Sequence, residues 1–544
     1  MAAYTSDEEV DKSYTRLRAT FLSGKTKSIA WRKWQLKQVW WLVNDNKQQL
    51  LDALHTDLNK HNYESFFTEC TGVLNDVLDH LEHIEVWTKP KHPEGSLVMN
   101  YLMGATLSPE PRGLVLIIGP WNFPISLILQ PLVAAITAGC TVLLKPSEMA
   151  RASQACLEEL IPRYLDNDAI RVITGGPAET TRLLQRQYDH IFFTGSPGVG
   201  RHIALAAAKH LTPTVLELGG QGPSVVTASA DIDFAAKSIV STKYINAGQI
   251  CLAVNHVLAH PSIAAKLVER MQYHLKQFDL DGSKAMTKII NRKNFDRLKS
   301  AIEASNGTVV YGGVADAEAL NIRPTILTDV KATDPIMNDE IFGPICPILI
   351  ATTAEAIQSI NSKPHPLAIY IFSHNQKEID EIIASTISGG VTVNDTLLHS
   401  AVPGAPFGGV GESGYGAYHG AYGFTEFSHI RIISQPGRLV RSFFSLRFPP
   451  YSKQDLNKID IKNRLGFKRG ETMADQTIRL EQALWNKGGQ ILRWTIVFCF
   501  VVLADKWSGS WLGLWWLTTQ AGRLAKQLEL SNASILSFHR RIWT

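Results

Sequence analysis

The chain has 544 residues, too many for one ordinary domain and enough for two or three. Hydrophobic residues make up 45% and charged residues 19%, which excludes global disorder. A formal net charge of +4 is small for this length, and no long basic run occurs, so nucleic acid is not expected as a partner.

Six cysteines, at 70, 140, 156, 251, 346 and 499, include no close pair and no C-x-x-C. Neither a disulfide framework nor a metal site is expected, and a reducing compartment fits. The N-terminal stretch carries early acidic residues and no apolar run behind basic ones, so it does not read as a secretory signal.

Residues 10 to 90 predict long amphipathic helices, with Trp31, Trp34, Val39, Leu42 and Val43 recurring at helical spacing, until Lys89-Pro90-Lys91-His92-Pro93 breaks the pattern. From 114 to 218 the period changes. Apolar runs at 114–118, 141–144, 169–173, 190–193 and 214–218 alternate with helix-length segments at 125–138, 151–164, 178–187 and 197–209. Strands buried on both faces and alternating with helices predict a doubly wound parallel sheet. The alternation resumes with candidate strands at 224–226, 254–260, 309–311, 345–350, 368–371 and 391–394, which predict a second α/β domain with its own sheet. After the Gly-rich run 404–416 a further strand is expected over 425–434, and 436–475 reads as an extended segment leaving the globular body.

Five segments could carry chemistry. Cys251 lies in Asn246-Ala247-Gly248-Gln249-Ile250-Cys251, where small residues let the backbone approach a ligand, although a lone cysteine is more often an inert core residue. Glu217, in Leu216-Glu217-Leu218-Gly219-Gly220, ends an apolar strand, where a carboxylate is costly unless paired or used. Asn122, in Gly119-Pro120-Trp121-Asn122-Phe123-Pro124, sits between a strand and a helix. It could donate to an oxyanion, but taken alone it reads better as a helix N-cap. Phe193-Thr194-Gly195-Ser196-Pro197-Gly198-Val199-Gly200 opens a helix and suits a pyrophosphate, without the usual G-x-G-x-x-G spacing. Lys145-Pro146-Ser147-Glu148 follows a strand and could hold ribose hydroxyls or be a solvated loop.

Taken in order, these segments resemble the aldehyde dehydrogenase superfamily: PWNFP, KPSE, FTGSPGVG, ELGG 34 residues before GQIC, then Glu340-Ile341-Phe342-Gly343-Pro344 and Pro406-Phe407-Gly408-Gly409. The resemblance spans roughly residues 10 to 435. Gly390-Val391-Thr392-Val393-Asn394-Asp395, PFGGVGESGYGAYHG and Arg447-Phe448-Pro449-Pro450-Tyr451 point to the fatty-aldehyde, class 3-like branch. Two departures stand out. Gln221 replaces the commoner Lys after ELGG, and Ala253-Val254-Asn255-His256 replaces the usual Ala-Pro, which bears on the aldehyde entrance and hence on substrate size.

The resemblance implies a Rossmann-type NAD-binding domain (1–95 and 114–217), a catalytic α/β domain (218–398) and a small oligomerisation arm (96–113 and 399–435). It implies a homodimer, and NAD as cofactor with NADP as the alternative. Cys251 is then the nucleophile, Glu217 the general base and Asn122 an oxyanion donor. Trp121, Lys145, Glu148, Gly195, Ser196, Gly200, Glu340 and Phe342 become cofactor ligands, with Gly195, Ser196 and Gly200 facing the pyrophosphate. Glu148 near the ribose 2′-hydroxyl would repel a 2′-phosphate, which favours NAD.

Residues 476–544 have another character. Positions 494–504 are nearly all apolar; as a helix they would extend about 16 Å, short of the ~30 Å hydrocarbon core. Asp505 and Lys506 interrupt before a second apolar stretch at 511–517, and seven of the thirteen tryptophans lie after residue 480 among Arg493, Lys506, Arg523, Lys526, Arg540 and Arg541. Interfacial Trp with flanking cations predicts an amphipathic membrane-associating tail, with the catalytic body facing the cytosol. An ordinary helix covering the body or a dimer partner is the alternative. The expected activity is oxidation of long-chain or other lipophilic aldehydes through a cysteine thiohemiacetal and thioester. An apocarotenal or retinal-type substrate is the runner-up, and a catalytically silent membrane scaffold is a remote third.

Overall fold

The computed structural model describes residues 4–94, 97–278 and 286–437, with short pieces at 440–441, 447–451, 467 and 469–475. The amphipathic tail expected over 476–544, and most of the 436–475 segment, lie outside the described residues. Among the described residues no helix is long and apolar enough to cross a membrane.

The chain opens with helices Asp7–Leu22, Ile29–Asp45, Lys47–Leu58 and Thr71–Trp87. The first two are capped by Ser6 and Ser28, whose side chains accept from Glu9 and Trp31 N–H groups. Just before the last helix, Phe66–Cys70 forms one π-helical turn.

Seventeen strands follow among the described residues. They are β1 (Ala105–Pro111), β2 (Leu114–Ile118), β3 (Thr141–Lys145), β4 (Ile170–Val172), β5 (His190–Thr194), β6 (Thr214–Glu217), β7 (Pro223–Val226), β8 (His256–Ala259) and β9 (Thr308–Tyr311). After a short ribbon, β10 (Ala315–Asp316) with β11 (Asn321–Ile322), come β12 (Thr325–Thr328), β13 (Ile345–Ile350), β14 (Ala368–Phe372), β15 (Gly390–Val393), β16 (Gly414–Tyr415) and β17 (Ser428–Ser434). The first sheet has the order β16-β6-β5-β2-β3-β4, parallel except for the edge strand β16. The strand order reverses at β2 and β5, so a crevice opens at their carboxyl ends. The second sheet, β15-β14-β7-β8-β13-β12-β9, is parallel except for β9.

Alternation along the strands divides the interior. In β2, Val115 and Ile117 join one core while Leu114, Leu116 and Ile118 join another on the opposite face. Val226 in β7, with Val257 and Ala259 in β8, enters the same core as Val115 and Ile117, so the two sheets share one interior. Leu258, Ile369 and Ile371 face a third core with Phe295 and Leu298 of the helix Arg292–Ala304.

Most expected strands are found close to their apolar runs, but β10, β11, β12 and β16 have no counterpart among them, the strand expected over 425–434 begins only at Ser428, and two further elements depart from expectation. Helix Pro177–Leu183 is shorter than the 178–187 predicted: Gln185 and Arg186 donate to the carbonyls of Arg182 and Leu183, turning the chain toward β5. Strand β1, unpredicted because Pro109 and Pro111 discourage a strand reading, pairs antiparallel along its whole length with β17. The ribbon tolerates these prolines because the second edge of β1 is bridged at Leu107, to Lys91, and not at Pro109 or Pro111.

Candidate active site

β6 ends at Glu217, and the chain crosses to the second sheet in five residues, Leu218 to Gly222, to begin β7 at Pro223. Because β7 and β8 run parallel with Pro223 beside His256, the residues just before β8 lie beside that crossing; Asn255 N–H donates to Gly222 O at 2.7 Å. The short link therefore brings the amino edge of the second sheet to the carboxyl edge of the first, and Cys251 to Glu217.

Cys251 arrives on an unusual turn. Helix Ile232–Tyr244, capped by Asp231, gives way to three consecutive left-handed residues, Asn246 (φ 52°), Ala247 (φ 51°) and Gly248 (φ 68°). At Gly248 a side chain would meet the carbonyl of Gly343 at 2.3 Å, so only glycine fits. Gln249 locks the turn: its amide donates to Asn246 O and Lys288 O at 3.0 and 3.1 Å and accepts from Ile290 N–H at 3.1 Å. The buried Tyr370 hydroxyl donates to the carbonyl of Leu252 at 2.7 Å, fixing the far side of the cysteine.

Three ionisable groups meet here. Glu217 is 2% exposed and neither carboxyl oxygen has a nitrogen or oxygen donor. Burial, opposed by the facing Cys251 thiol and reinforced by Glu340, pushes its pKa up to about 8. The Cys251 thiol is pushed well above its ordinary value by burial and by the charges of Glu217 and Glu340. The Glu340 carboxyl lies against Gly219, where a Cβ would come within 2.3 Å of it; burial raises it to about 7, against the Gly220 N–H, Arg297 and Lys243. The resting pair of acid and thiol is thus largely uncharged at neutral pH.

Asn122 does not cap a helix. The following helix begins at Ser126, and its first N–H groups, from Ile125 and Ser126, are taken by the Glu69 carboxylate at 3.1 Å each. Asn122 is instead buried, and its amide donates at 3.0 Å to the carbonyl of Gln249, two residues before Cys251. An amide nitrogen carries two protons, so one remains to donate.

A cleft of about 640 Å³ runs along the carboxyl ends of β2, β3 and β5. Trp121, Lys145, Glu148, Gly195 and Ser196 line it, with the basic groups His202 and Lys209. Lys145 is buried, not solvated, and pairs with Glu148 at 2.7 Å. Ser196 caps helix Pro197–Ala208, whose N-terminus opens on the cleft and suits an anionic group. Trp121 meets the Phe342 ring edge-to-face at 5.4 Å, joining the cleft to the Glu340 loop. Gly200, expected to face a pyrophosphate, lies in helix Pro197–Ala208, and a Cβ there would stand 2.8 Å from the Leu218 side chain, so its lack of a side chain also serves close helix-to-strand packing. Four supporting residues had no sequence signal: Lys60, Glu64, Glu69 and Tyr370.

A cleft at the carboxyl ends of the first sheet, together with a half-buried cysteine facing a buried carboxyl, narrows the choice, and comparison with known proteins makes it. Residues 2–433 match the model of the aldehyde dehydrogenase family. The chain belongs to the aldehyde dehydrogenase family. It is 41% identical over 445 residues to the dimeric NADP-preferring aldehyde dehydrogenase of Rattus norvegicus, covering 81% of this chain and 98% of that one. It is 39% identical over 496 residues to the beta-apo-4'-carotenal oxygenase of Neurospora crassa, covering 88% and 92%. The substrate-bound structure of AldH from Staphylococcus aureus aligns with a TM-score of 0.79 at 36% identity, over 83% of this chain and 98% of that one. This aldehyde dehydrogenase is therefore an oxidoreductase with the α/β architecture of its family.

Proposed function

We propose that this aldehyde dehydrogenase oxidises long-chain or other lipophilic aldehydes to acids, with NAD preferred over NADP, through covalent chemistry on Cys251. The observation that carries the reading is that Cys251 faces Glu217 while the amide of Asn122, next in the chain to the cleft-lining Trp121, holds the carbonyl of Gln249 two residues before Cys251. A planar carbonyl does not readily release hydride; once the Cys251 thiol has given its proton to water, the thiolate adds to the carbon, makes it tetrahedral and places negative charge on oxygen. The remaining Asn122 proton and the Cys251 backbone N–H hold that oxygen, donors of a type worth about 2.7–4 kcal/mol each. A bound oxidised nicotinamide supplies the hydride acceptor. Glu217 then takes a proton from the water that attacks the thioester, releasing the acid and freeing Cys251.

Lys145, Glu148, Gly195 and Ser196 would hold the nucleotide, and Trp121, Glu340 and Phe342 its nicotinamide end. Pairing with Lys145 keeps Glu148 at the rim, where its charge disfavours a 2′-phosphate. His202 and Lys209 line the same cleft and leave NADP as the second choice. The Neurospora crassa relative's name favours an apocarotenal as the competing substrate. Rates across straight-chain aldehydes of rising length, with one apocarotenal included, test the assignment. A rise in kcat/KM with chain length supports it, and a preference for short polar aldehydes counts against it.

A pH dependence follows from the raised Glu217 carboxyl. Below its pKa of about 8 the base is mostly protonated, so a hydrolysis-limited kcat should climb about tenfold per pH unit and level off above it. A flat profile from pH 6 to 9 would remove Glu217 from this role.

The tail and the arm complete the proposal. The Trp- and cation-rich residues 476–544 would attach the protein to a lipid surface, where such substrates partition. Removing them should leave an active enzyme that stays in the supernatant; a truncated chain that still pellets with membranes would refute this. The β1–β17 ribbon, with Ile430 and Ile432 exposed, would serve a homodimer as its arm, in keeping with the word dimeric in the rat relative's name.

A further inference from the structure

We infer that Lys60 and Glu69, joined in a fully buried ion pair, are positioning residues that set the Asn122 donor against Cys251. The inference rests on the oxyanion role proposed for Asn122. The pair is closed at 2.9 Å with both side chains at 0% exposure. Each partner then reaches the Asn122 segment. Lys60 Nζ donates to the carbonyl of Asn122 at 3.4 Å and stands 4.5 Å over the ring of Phe123. Glu69 receives the N–H groups of Ile125 and Ser126 and, at 3.4 Å, the Ser126 hydroxyl. Peptide groups on both sides of Phe123-Pro124 are thereby tied to one point charge each.

The same stretch holds the cysteine side. Glu64, five residues earlier, accepts the backbone N–H of Asn246 at 2.8 Å, at the start of the left-handed turn that delivers Cys251. Asn246 in turn donates to Asn122 O and Gln249 O, both at 3.0 Å. The π turn Phe66–Cys70 makes this possible: it sends Glu69 fully inward while Phe67 stays exposed. One short stretch of chain, Lys60 to Glu69, therefore grips both halves of the oxyanion site.

An ion pair in a dry interior is generally no more stabilising than apolar residues of the same volume, so stability alone gives little reason for one here. Its charges are spent on backbone groups around Asn122, and a positioning role accounts for that.

The test is a double-mutant cycle between Lys60→Met and Asn122→Ala in the full chain. Three rates are read: the first-turnover burst of NADH from an aldehyde, acylation of the enzyme by p-nitrophenyl acetate, and alkylation of Cys251 by iodoacetamide. Burst and acylation pass through a tetrahedral oxyanion, whereas alkylation does not. Lys60→Met should slow burst and acylation by about tenfold with Asn122 present and by less than about twofold in the Asn122→Ala background, leaving alkylation within about twofold. Equal losses in both backgrounds, or a parallel loss of alkylation, would overturn the positioning role. Unchanged acylation in Asn122→Ala itself would overturn the oxyanion assignment and the positioning role with it. Should Lys60→Met not fold, Lys60→Met with Glu69→Gln removes both charges together, as buried pairs tolerate, and gives the same cycle.

Discussion

Cys251→Ala should abolish NADH formation from any aldehyde, a loss of roughly 10⁴–10⁶-fold of the size seen when a covalent nucleophile is removed. Without sulfur no tetrahedral adduct forms, and the remaining donors polarise a carbonyl that still cannot give up its hydrogen. Calorimetric titration with NAD should be unchanged, because the cleft is lined by other residues. The other described cysteines cannot substitute. Cys70, Cys140, Cys156 and Cys346 are buried, and burial pushes their thiols up to about 12, 11, 12 and 11. Residual activity above background in the variant would end the assignment of Cys251.

Glu217→Gln should separate the two halves of the reaction. The first turnover should retain its hydride burst, since the amide is the same size and leaves the thiol in place. Steady-state turnover should fall by about 10²–10⁴-fold, the usual contribution of a positioned base. The acyl-enzyme should then accumulate and be visible as a mass increase on the peptide containing Cys251. If burst and steady state fall equally, Glu217 acts before hydride transfer and not on the attacking water. The variant should also lose the rise in rate toward pH 8, because the titrating carboxyl is gone.

Much of this was legible in the sequence. Strands β2, β3 and β5 are buried on both faces, so they appear as short apolar runs, identified by their length and by the helix-length segments between them. Glu217 and Cys251 were legible as chemistry because a carboxylate at a strand end and a cysteine among small residues are costly or conspicuous, and the ordered motifs joined them. The supports were not. Lys60 and Glu69 fall within a stretch of amphipathic helices, where a lysine and a glutamate nine positions apart look like solvent-facing residues; only the π turn and the approach of helix Ser126–Ala138 bury them. Asn122 taken alone reads as a helix cap for a related reason. Its cap role depended on no better acceptor reaching the helix start, and Glu69, 53 residues earlier, supplies one. At Gly200, packing against Leu218 is a second reason for a glycine beside the nucleotide-type turn, and no motif in the sequence displays it.

The five-residue passage from Glu217 to Pro223 has a mechanical meaning. Nucleophile and base ride on separate sheets, yet side chains from both sheets interdigitate in one filling, and the tether between them is too short to act as a joint. The two reacting groups are thus registered as parts of a single rigid body, and whatever motion admits a bulky aldehyde or lets its acid depart must come from loops around that body while the distance between sulfur and carboxyl is kept.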